Sequence, residues 1–458
     1  MQILPSGAQP AARLALAPFR GLRYAQDRVS GLAEVTSPPY DVIAHDTEDH
    51  LLASDPHNIV RLILPRHVLH NPRPDDNGGP GGDPCYPDAP AYADAAGYAD
   101  AARLLRDWQE QGILVPDPAP ALYVYEQSLP AGPVLQRGLI GALRLAPLGA
   151  GTVLPHEDVI PGPVAGRRQL MEATGANLEP IFLLYDGNGR GAATARITEL
   201  ATTREPLLFI HTDDGICHRL WGITDPAEQA AIARDLAARQ ALIADGHHRY
   251  AAYLQLQERK RTAGAGPGPW DAGLALLVDE AIFPPRIGAI HRVVPGLRPA
   301  TAARLAEQAF TVRALPGLAP AQALAALGEA SERHPAFLVA GGGEFYLLTD
   351  PDEEAVREAM PGRSDRWRGL SAAVMQELLL GRLWGIVDDD QHVQIHHDAG
   401  AALHEAAQSP AVTAVLCPPL SSDDVRGVAA HGERVPRKST SFAPKPRTGL
   451  VLRSFALG

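Results

Sequence analysis

The stretch Leu242-Ile243-Ala244-Asp245-Gly246-His247-His248-Arg249-Tyr250 decides how this chain is read. A short apolar run ends in Asp-Gly, two histidines and an arginine follow at once, and the residues from Tyr250 to Leu256 read as a helix. Strand, tight glycine turn and helix start together aim free backbone N–H groups at an anion. Gly246 lets the turn adopt a positive φ and lets a ligand approach the backbone. Arg249 adds a fork-shaped donor suited to phosphate, and His247 and His248 add imidazoles that can donate to phosphate or move a proton. Asp245, at the strand end, suits a metal ligand, a partner that fixes a histidine tautomer, or a helix cap. The plainer alternative is a strand-to-helix turn with solvated polar residues, because loops collect such residues without catalytic reason.

Around this turn the pattern alternates strand and helix. Strands are expected at 122–125, 139–143, 181–185, 207–210, 221–224, 241–244 and 272–278. Helices are expected from Arg167 to Thr174 and from Pro226 to about Arg239, the latter with Asp225 as N-cap. Upstream, Ala101, Leu105 and Trp108 recur at helical spacing, and Asn58 to Leu64 reads as a strand after a turn. The Pro-, Gly- and Asp-rich stretch 66–90 cannot bury a core and is expected to be a disordered insertion. From about residue 298, helical patterns at 299–310, 319–333 and 370–383 alternate with strands at 336–340, 345–348 and 412–416. Three parts follow: an N-terminal α/β segment (1–119), a core (120–296) and a C-terminal α+β domain (297–458).

Composition limits the function classes. The chain has 458 residues, 45% hydrophobic and 21% charged, values typical of a soluble globular protein with more than one domain. A net charge of -12 argues against broad nucleic-acid or membrane-surface binding. Cys85, Cys217 and Cys417 are scattered, so neither a zinc ribbon nor a disulfide framework is supported. No leader pattern and no apolar run near ~18 residues is seen, so a cytoplasmic protein is expected.

Further constellations could join the turn. His156-Glu157-Asp158 lies between Pro155 and Pro161, and Glu157 or Asp158 could act as general base or hold Mg²⁺, unless this is a solvated charged turn. Tyr40 and Asp41 follow the rigid Ser37-Pro-Pro unit and could line a pocket, with His156 and His291 as further candidates. Near the C-terminus, Arg437, Lys438, Lys445 and Arg447 put four cations within eleven residues, and Arg437 and Lys438 are candidates for a phosphate clamp. Asp398 is expected to cap the helix that follows it. A Gly-x-x-x-x-Gly-Lys-Ser/Thr loop, a Gly-x-Gly-x-x-Gly turn and a Gly-x-Ser-x-Gly elbow are all missing, which removes three common nucleotide and hydrolase designs.

The run Gly246-His247-His248-Arg249-Tyr250 resembles the phosphate-binding turn of the ParB/sulfiredoxin fold, and the Asp-Gly-His-His-Arg form resembles that of free serine kinases. More broadly, the chain resembles the "domain of unknown function 1015" family. The matching segments include Pro18-Phe-Arg-Gly, Pro38-Pro-Tyr-Asp-Val-Ile, Leu154-Pro-His-Glu-Asp158, Ile243 to Tyr250, His291-Arg-Val-Val294 and the Lys438 to Val451 region. The resemblance implies a ParB/sulfiredoxin-like α/β core with ATP or ADP held at residues 245–249 and Mg²⁺ as accompanying ion. It also implies phosphate transfer to a small hydroxylated metabolite such as a serine-like amino acid. On this reading His247, His248, Glu157 and Asp158 are catalytic, and Asp245, Gly246, Arg249, Arg437 and Lys438 bind phosphate. A nucleotide-binding regulatory protein without transfer, and a phosphoesterase using the same anion site, are the other expectations. No nucleic-acid or membrane partner is expected.

Overall fold

The computed structural model describes residues 13–43, 45–65, 95–189, 191–332, 334–389 and 391–457. The insertion expected at 66–90 lies outside them, as does Cys85. Among the described residues, nine strands form the central sheet: β1 (Leu16–Ala17), β2 (Leu122–Ser128), β3 (Val134–Arg144), β4 (Val153–Leu154), β5 (Ile181–Tyr185), β6 (Leu208–His211), β7 (Cys217–Ile223), β8 (Ala241–Asp245) and β9 (Ala272–Asp279). Their order is β4-β8-β5-β9-β3-β2-β7-β6, with β1 on β3. β8 runs parallel to β4 and β9 parallel to β5, and the other pairings are antiparallel. The mixed sheet accounts for the near-continuous apolar runs, since strands covered on both faces need no polar side.

The two faces meet different cores. On one face Ala241, Ile243, Leu183 and Leu277 pack beneath helices α2 (Pro161–Thr174), α3 (Ala192–Thr203), α4 (Pro226–Leu236) and α5 (His247–Thr262), and α1 (Ala95–Glu110) packs against α2. On the other, Leu242, Ala244, Phe182 and Leu276 join a cluster that continues into the C-terminal part through Phe337, Leu378 and Phe442. Asp225 caps α4 by accepting the Ala227 N–H, as its position before the apolar pattern predicts.

A second sheet holds six strands: β10 (His291–Pro295), β11 (Thr311–Ala314), β12 (Phe337–Gly341), β13 (Glu344–Thr349), β14 (Gln394–His396) and β15 (Val412–Leu416), ordered β11-β13-β12-β15-β10-β14. The protein is therefore a mixed α/β molecule with several sheets. Two local expectations are corrected. Residues 291–295, assigned to the core, hydrogen-bond to β15 in the second sheet. Residues 60–63 form a helical turn instead of a strand, as the Asn58 side chain accepts the Val60 N–H and bends the chain just before it. The final segment returns to the beginning of the chain. Thr448 bridges to Ser37, Leu452 to Leu22, and Arg453–Ser454 pairs with Ala176–Asn177.

Candidate functional site

The quoted stretch folds as read, with β8 ending at Asp245, Gly246 at φ 94° and α5 starting at His247. The strand register slips just before the bend: Ile243 faces Leu183 while Asp245 faces Phe182, so Ala244 is an extra residue. Such a bulge re-aims the following side chain. Here it turns Asp245 toward cations. Arg249 Nη2 lies 2.5 Å from Asp245 Oδ2, and Lys445 Nζ lies 2.6 Å from Asp245 Oδ1 and 2.6 Å from Asp41 Oδ2. Asp245 is thus held by ion pairs, and no side chain caps the first turn of α5.

Two corrections concern the expected phosphate clamp. Arg249 is only 2% exposed. Its Nη2 is engaged by Asp245 and its Nη1 by the Pro180 carbonyl (2.7 Å), its buried Nε has no partner, and the guanidinium sits over the Tyr40 ring. The cavity beside it, lined by Arg167, Glu179 and Tyr253 among others, is about 20 Å³, room for a single water. Arg249 is therefore an internal brace and is not presented to a ligand. Arg437 is turned away as well. Its guanidinium donates to the Asp388 carbonyl at 3.3 Å, and its own carbonyl accepts from Arg292 of β10.

The histidines also differ from expectation. The backbone N–H groups of His156 and Glu157 donate to His247 Nε2 at 3.2 and 3.4 Å, and that of Ile160 donates to His248 Nε2 at 3.1 Å. Each Nε2 is therefore an acceptor, which fixes both rings as neutral tautomers. Burial, reinforced by neighbouring positive groups, pushes His247 well below its ordinary value. Burial, with Lys438 and Arg249 adding and Asp41 opposing, pushes His248 down to about 4. His247 and His248 anchor the 156–160 loop and do not meet phosphate as cations.

That loop brings Glu157 to the bend. Its carboxylate Oε1 accepts from the Thr440 hydroxyl at 2.9 Å, and Thr440 Oγ1 is also 3.0 Å from His156 Nε2. Burial raises Glu157 above the usual carboxylate value, while Thr440, Lys438 and Lys445 pull it back. His156 is buried and pushed down to about 3, with the Ile243 carbonyl nearby opposing the shift without meeting hydrogen-bond geometry at Nδ1. Donor atoms of His156, Glu157 and His247 lie within 4.8 Å of one another, a grouping that could hold a metal. An ion there would compete with the two amides for the His247 Nε2 lone pair, so the donor set fits a metal poorly. Asp158, next in sequence, points outward with its side chain 91% exposed and Arg434 4.0 Å away.

The remaining pocket candidates separate. Asp41 reaches the bend through Lys445. Burial raises its pKa, but Lys445 and Arg249 outweigh that and hold it at about 2. Tyr40 lies beneath the Arg167 and Arg249 guanidinium groups, with its N–H on Glu179, and is a packing residue. His291 stays in the second sheet, where its Nδ1 accepts the Cys417 N–H and its titratable neighbours are Asp398, Arg292, His396 and His397. Of the residues near the bend, Lys438 is exposed, and Gly246, His248, Glu157, Thr440 and Lys445 are half-buried. Lys445 and Thr440 are missing from the expected site because their partners lie hundreds of residues away. The only trace of them in the sequence is the basic, hydroxyl-rich 437–448 segment.

A family described as "Protein of unknown function (DUF1015)" matches residues 16–373. Among solved structures the chain is similar to a free serine kinase in complex with AMP, at 14% identity and TM-score 0.35, covering 70% of this chain and 93% of that one. It is also similar to SbnI with a C-terminal truncation from Staphylococcus aureus, at 11% identity and TM-score 0.32, covering 67% and 84%. A conserved hypothetical protein from Pyrococcus furiosus aligns at 12% identity and TM-score 0.33, covering 70% and 97%. At these values the likeness carries no functional argument. No curated protein matches the chain. No helix among the described residues is long and apolar enough to cross a membrane.

Proposed function

The chain belongs to the DUF1015 family, and from that premise we propose that it is a phosphotransferase moving phosphate from ATP or ADP to a small hydroxylated metabolite such as a serine-like amino acid. The observation that carries this reading is the uncapped first turn of α5 at Gly246, with Lys438, Lys445 and Glu157 gathered around it. A helix N-terminus without a side-chain cap, flanked by two ammonium groups, favours phosphate oxygens. Phosphoryl transfer needs little from a protein beyond positioning and charge stabilisation.

In this mechanism the α5 amides, Lys438 and Lys445 hold the donor's phosphates. Glu157, whose pKa burial raises, takes the proton from the attacking hydroxyl. The new O–P bond forms as the bond to the nucleotide breaks. Mg²⁺ would arrive on the nucleotide's own phosphates and would supply charge neutralisation there; no step is assigned to a protein ligand for it, since Asp158 points outward beside Arg434. His247 and His248 keep Glu157 in place through the loop amides.

Phosphorus NMR of the protein with ATP or ADP, Mg²⁺ and a pool of small alcohols and amino acids tests this. A new phosphomonoester is expected. Release of free phosphate from supplied esters would assign a phosphoesterase instead. A second reading, nucleotide binding without transfer, is favoured by one feature: Lys445 is already engaged by Asp41 and Asp245, so an incoming phosphate must compete for it. Saturable binding with no phosphorus product would decide for that reading.

A further inference from the structure

Thr440 is held as a reacting group would be. Its hydroxyl donates to Glu157 Oε1 at 2.9 Å, and its oxygen lies 3.0 Å from His156 Nε2. With the hydroxyl proton given to the carboxylate, the second bond is donated by His156 in its Nε2–H tautomer, which leaves the buried Nδ1 without a partner. The result is a directed chain, His156 N–H to Thr440 O–H to Glu157 carboxylate. A nucleophile within hydrogen-bond reach of a base, with a third group fixing the geometry, is the arrangement that activates hydroxyls for covalent catalysis.

The surroundings agree. Thr440 is half-buried and reachable, while His156 is buried and held between the rings of His247 and Phe442. Lys438, two residues away, is exposed, and both Lys438 and Lys445 act on Glu157. The strand that follows Thr440 is not free to drift. Ser441–Ala443 pairs with Arg286–Gly288, the Ser439 hydroxyl donates to the Pro436 carbonyl at 2.7 Å, and Arg292 grips the carbonyls of Arg437 and Lys438. A hydroxyl that only closed a loop would not need both a carboxylate and a buried imidazole.

We propose that Thr440 is itself phosphorylated, taking the phosphoryl group from the nucleotide as a phosphothreonine and passing it to the metabolite. This rests on the phosphotransferase reading and adds an intermediate to it. In the first step the Thr440 Oγ–P bond forms, the bond from phosphorus to the nucleotide's bridging oxygen breaks, and the hydroxyl proton moves to Glu157. In the second, the metabolite oxygen attacks phosphorus and the Oγ–P bond breaks. Thr440 Oγ takes the proton back from Glu157, the metabolite's hydroxyl proton replaces it there, and that proton leaves to solvent before the next turnover. His156 N–H stabilises the negative charge on Thr440 Oγ as each bond is made or broken.

Intact-mass and peptide-mapping spectrometry after incubating the full chain with ATP and Mg²⁺, without acceptor, tests the intermediate. One phosphoryl group per chain is expected on Thr440, and on the serine of Thr440→Ser, with none on Thr440→Val. Glu157→Gln, which can still accept the Thr440 hydrogen bond through its amide oxygen and so preserves the fold, is expected to slow labelling by at least about a hundredfold. Two results would overturn the proposal. One is the absence of label on Thr440 in a wild-type protein that makes phosphomonoester. The other is a Thr440→Val protein that makes product at the wild-type rate; in both, transfer would be direct and the phosphotransferase reading would stand. A wild-type protein that neither labels nor turns over nucleotide would remove the reading and the intermediate together.

Discussion

At the residue scale, Gly246 and Lys445 carry the site. Gly246 sits at φ 94°, where an L-residue is strained, and a Cβ there would meet Ile181 Cγ2 at 2.9 Å and Arg249 Nε at 3.1 Å. Gly246→Ala is expected to lose about 1–2 kcal/mol in urea unfolding from the backbone alone, with nucleotide affinity falling as the bend shifts. Unchanged stability would show that the bend relaxes freely. Lys445 is shared by two carboxylates, and Lys445→Met leaves both without it. Because the Lys445 side chain keeps about a fifth of its exposure, the expected loss is below that of a fully buried pair, about 1–3 kcal/mol. NMR titration of Asp41 should then show its pKa rising from about 2 toward the ordinary carboxylate value. Asp245 and Gly246 are legible in the sequence, since a strand end, a glycine and a helix start are local. Lys445 and Thr440 are not, because their roles come from a return of the chain that no spacing records. Arg249 reads as a phosphate ligand and proves otherwise, because a guanidinium next to an anion-binding turn can serve the turn's own aspartate just as well.

At the element scale, the long periodic segments were legible and the short ones were not. The strand at 181–185 and the helix from 226 match their patterns, because an apolar run or a 3.6-residue period leaves little choice. Asp398 caps its helix by accepting the Ala401 N–H, also as expected. The 58–64 segment differs because its apolar run also suits a buried helical turn once the Asn58 side chain, accepting the Val60 N–H, bends the chain. The strand pair β2–β7 carries a pH dependence of its own. His218 is buried between Tyr125 (2.8 Å) and Thr212 (3.1 Å) and is pushed down to about 3 by burial, with Arg447 and His211 adding and Asp214 opposing. Its folded pKa lies below the unfolded value of 6.5, so the unfolded chain binds the extra proton. The stability it contributes is therefore complete above about pH 6.5 and is lost as pH falls toward 3, on the order of a few kcal/mol. His218→Gln should flatten that part of the stability-versus-pH curve measured by urea unfolding. An unaltered slope would mean that His218 titrates normally.

At the scale of the whole molecule, the C-terminal segment ties three regions together. Phe442 and Val451 join the large core between the sheets, Leu452 enters the N-terminal cluster with Leu22 and Trp108, and Arg453 bonds Asn177 and the carbonyls of Ala272 and Pro269. The N-terminal segment, central sheet and C-terminal part thus share packing that a division by sequence texture cannot display. Leu452→Ala, at a fully buried position, is expected to cost about 2–5 kcal/mol in urea unfolding. A loss under about 0.5 kcal/mol would show that the return of the chain is not a structural tie.

On the proposed function, the bend at Gly246 and the cations around it form a seat for a nucleotide's phosphates. Equilibrium binding of ATP with Mg²⁺ to the wild-type protein and to Lys438→Glu tests it most directly, because Lys438 is exposed and its charge can be reversed without disturbing the core. Saturable binding by the wild-type protein is expected, weakened at least about tenfold by the reversal. Absence of saturable binding, or equal affinity in the two proteins, would contradict it.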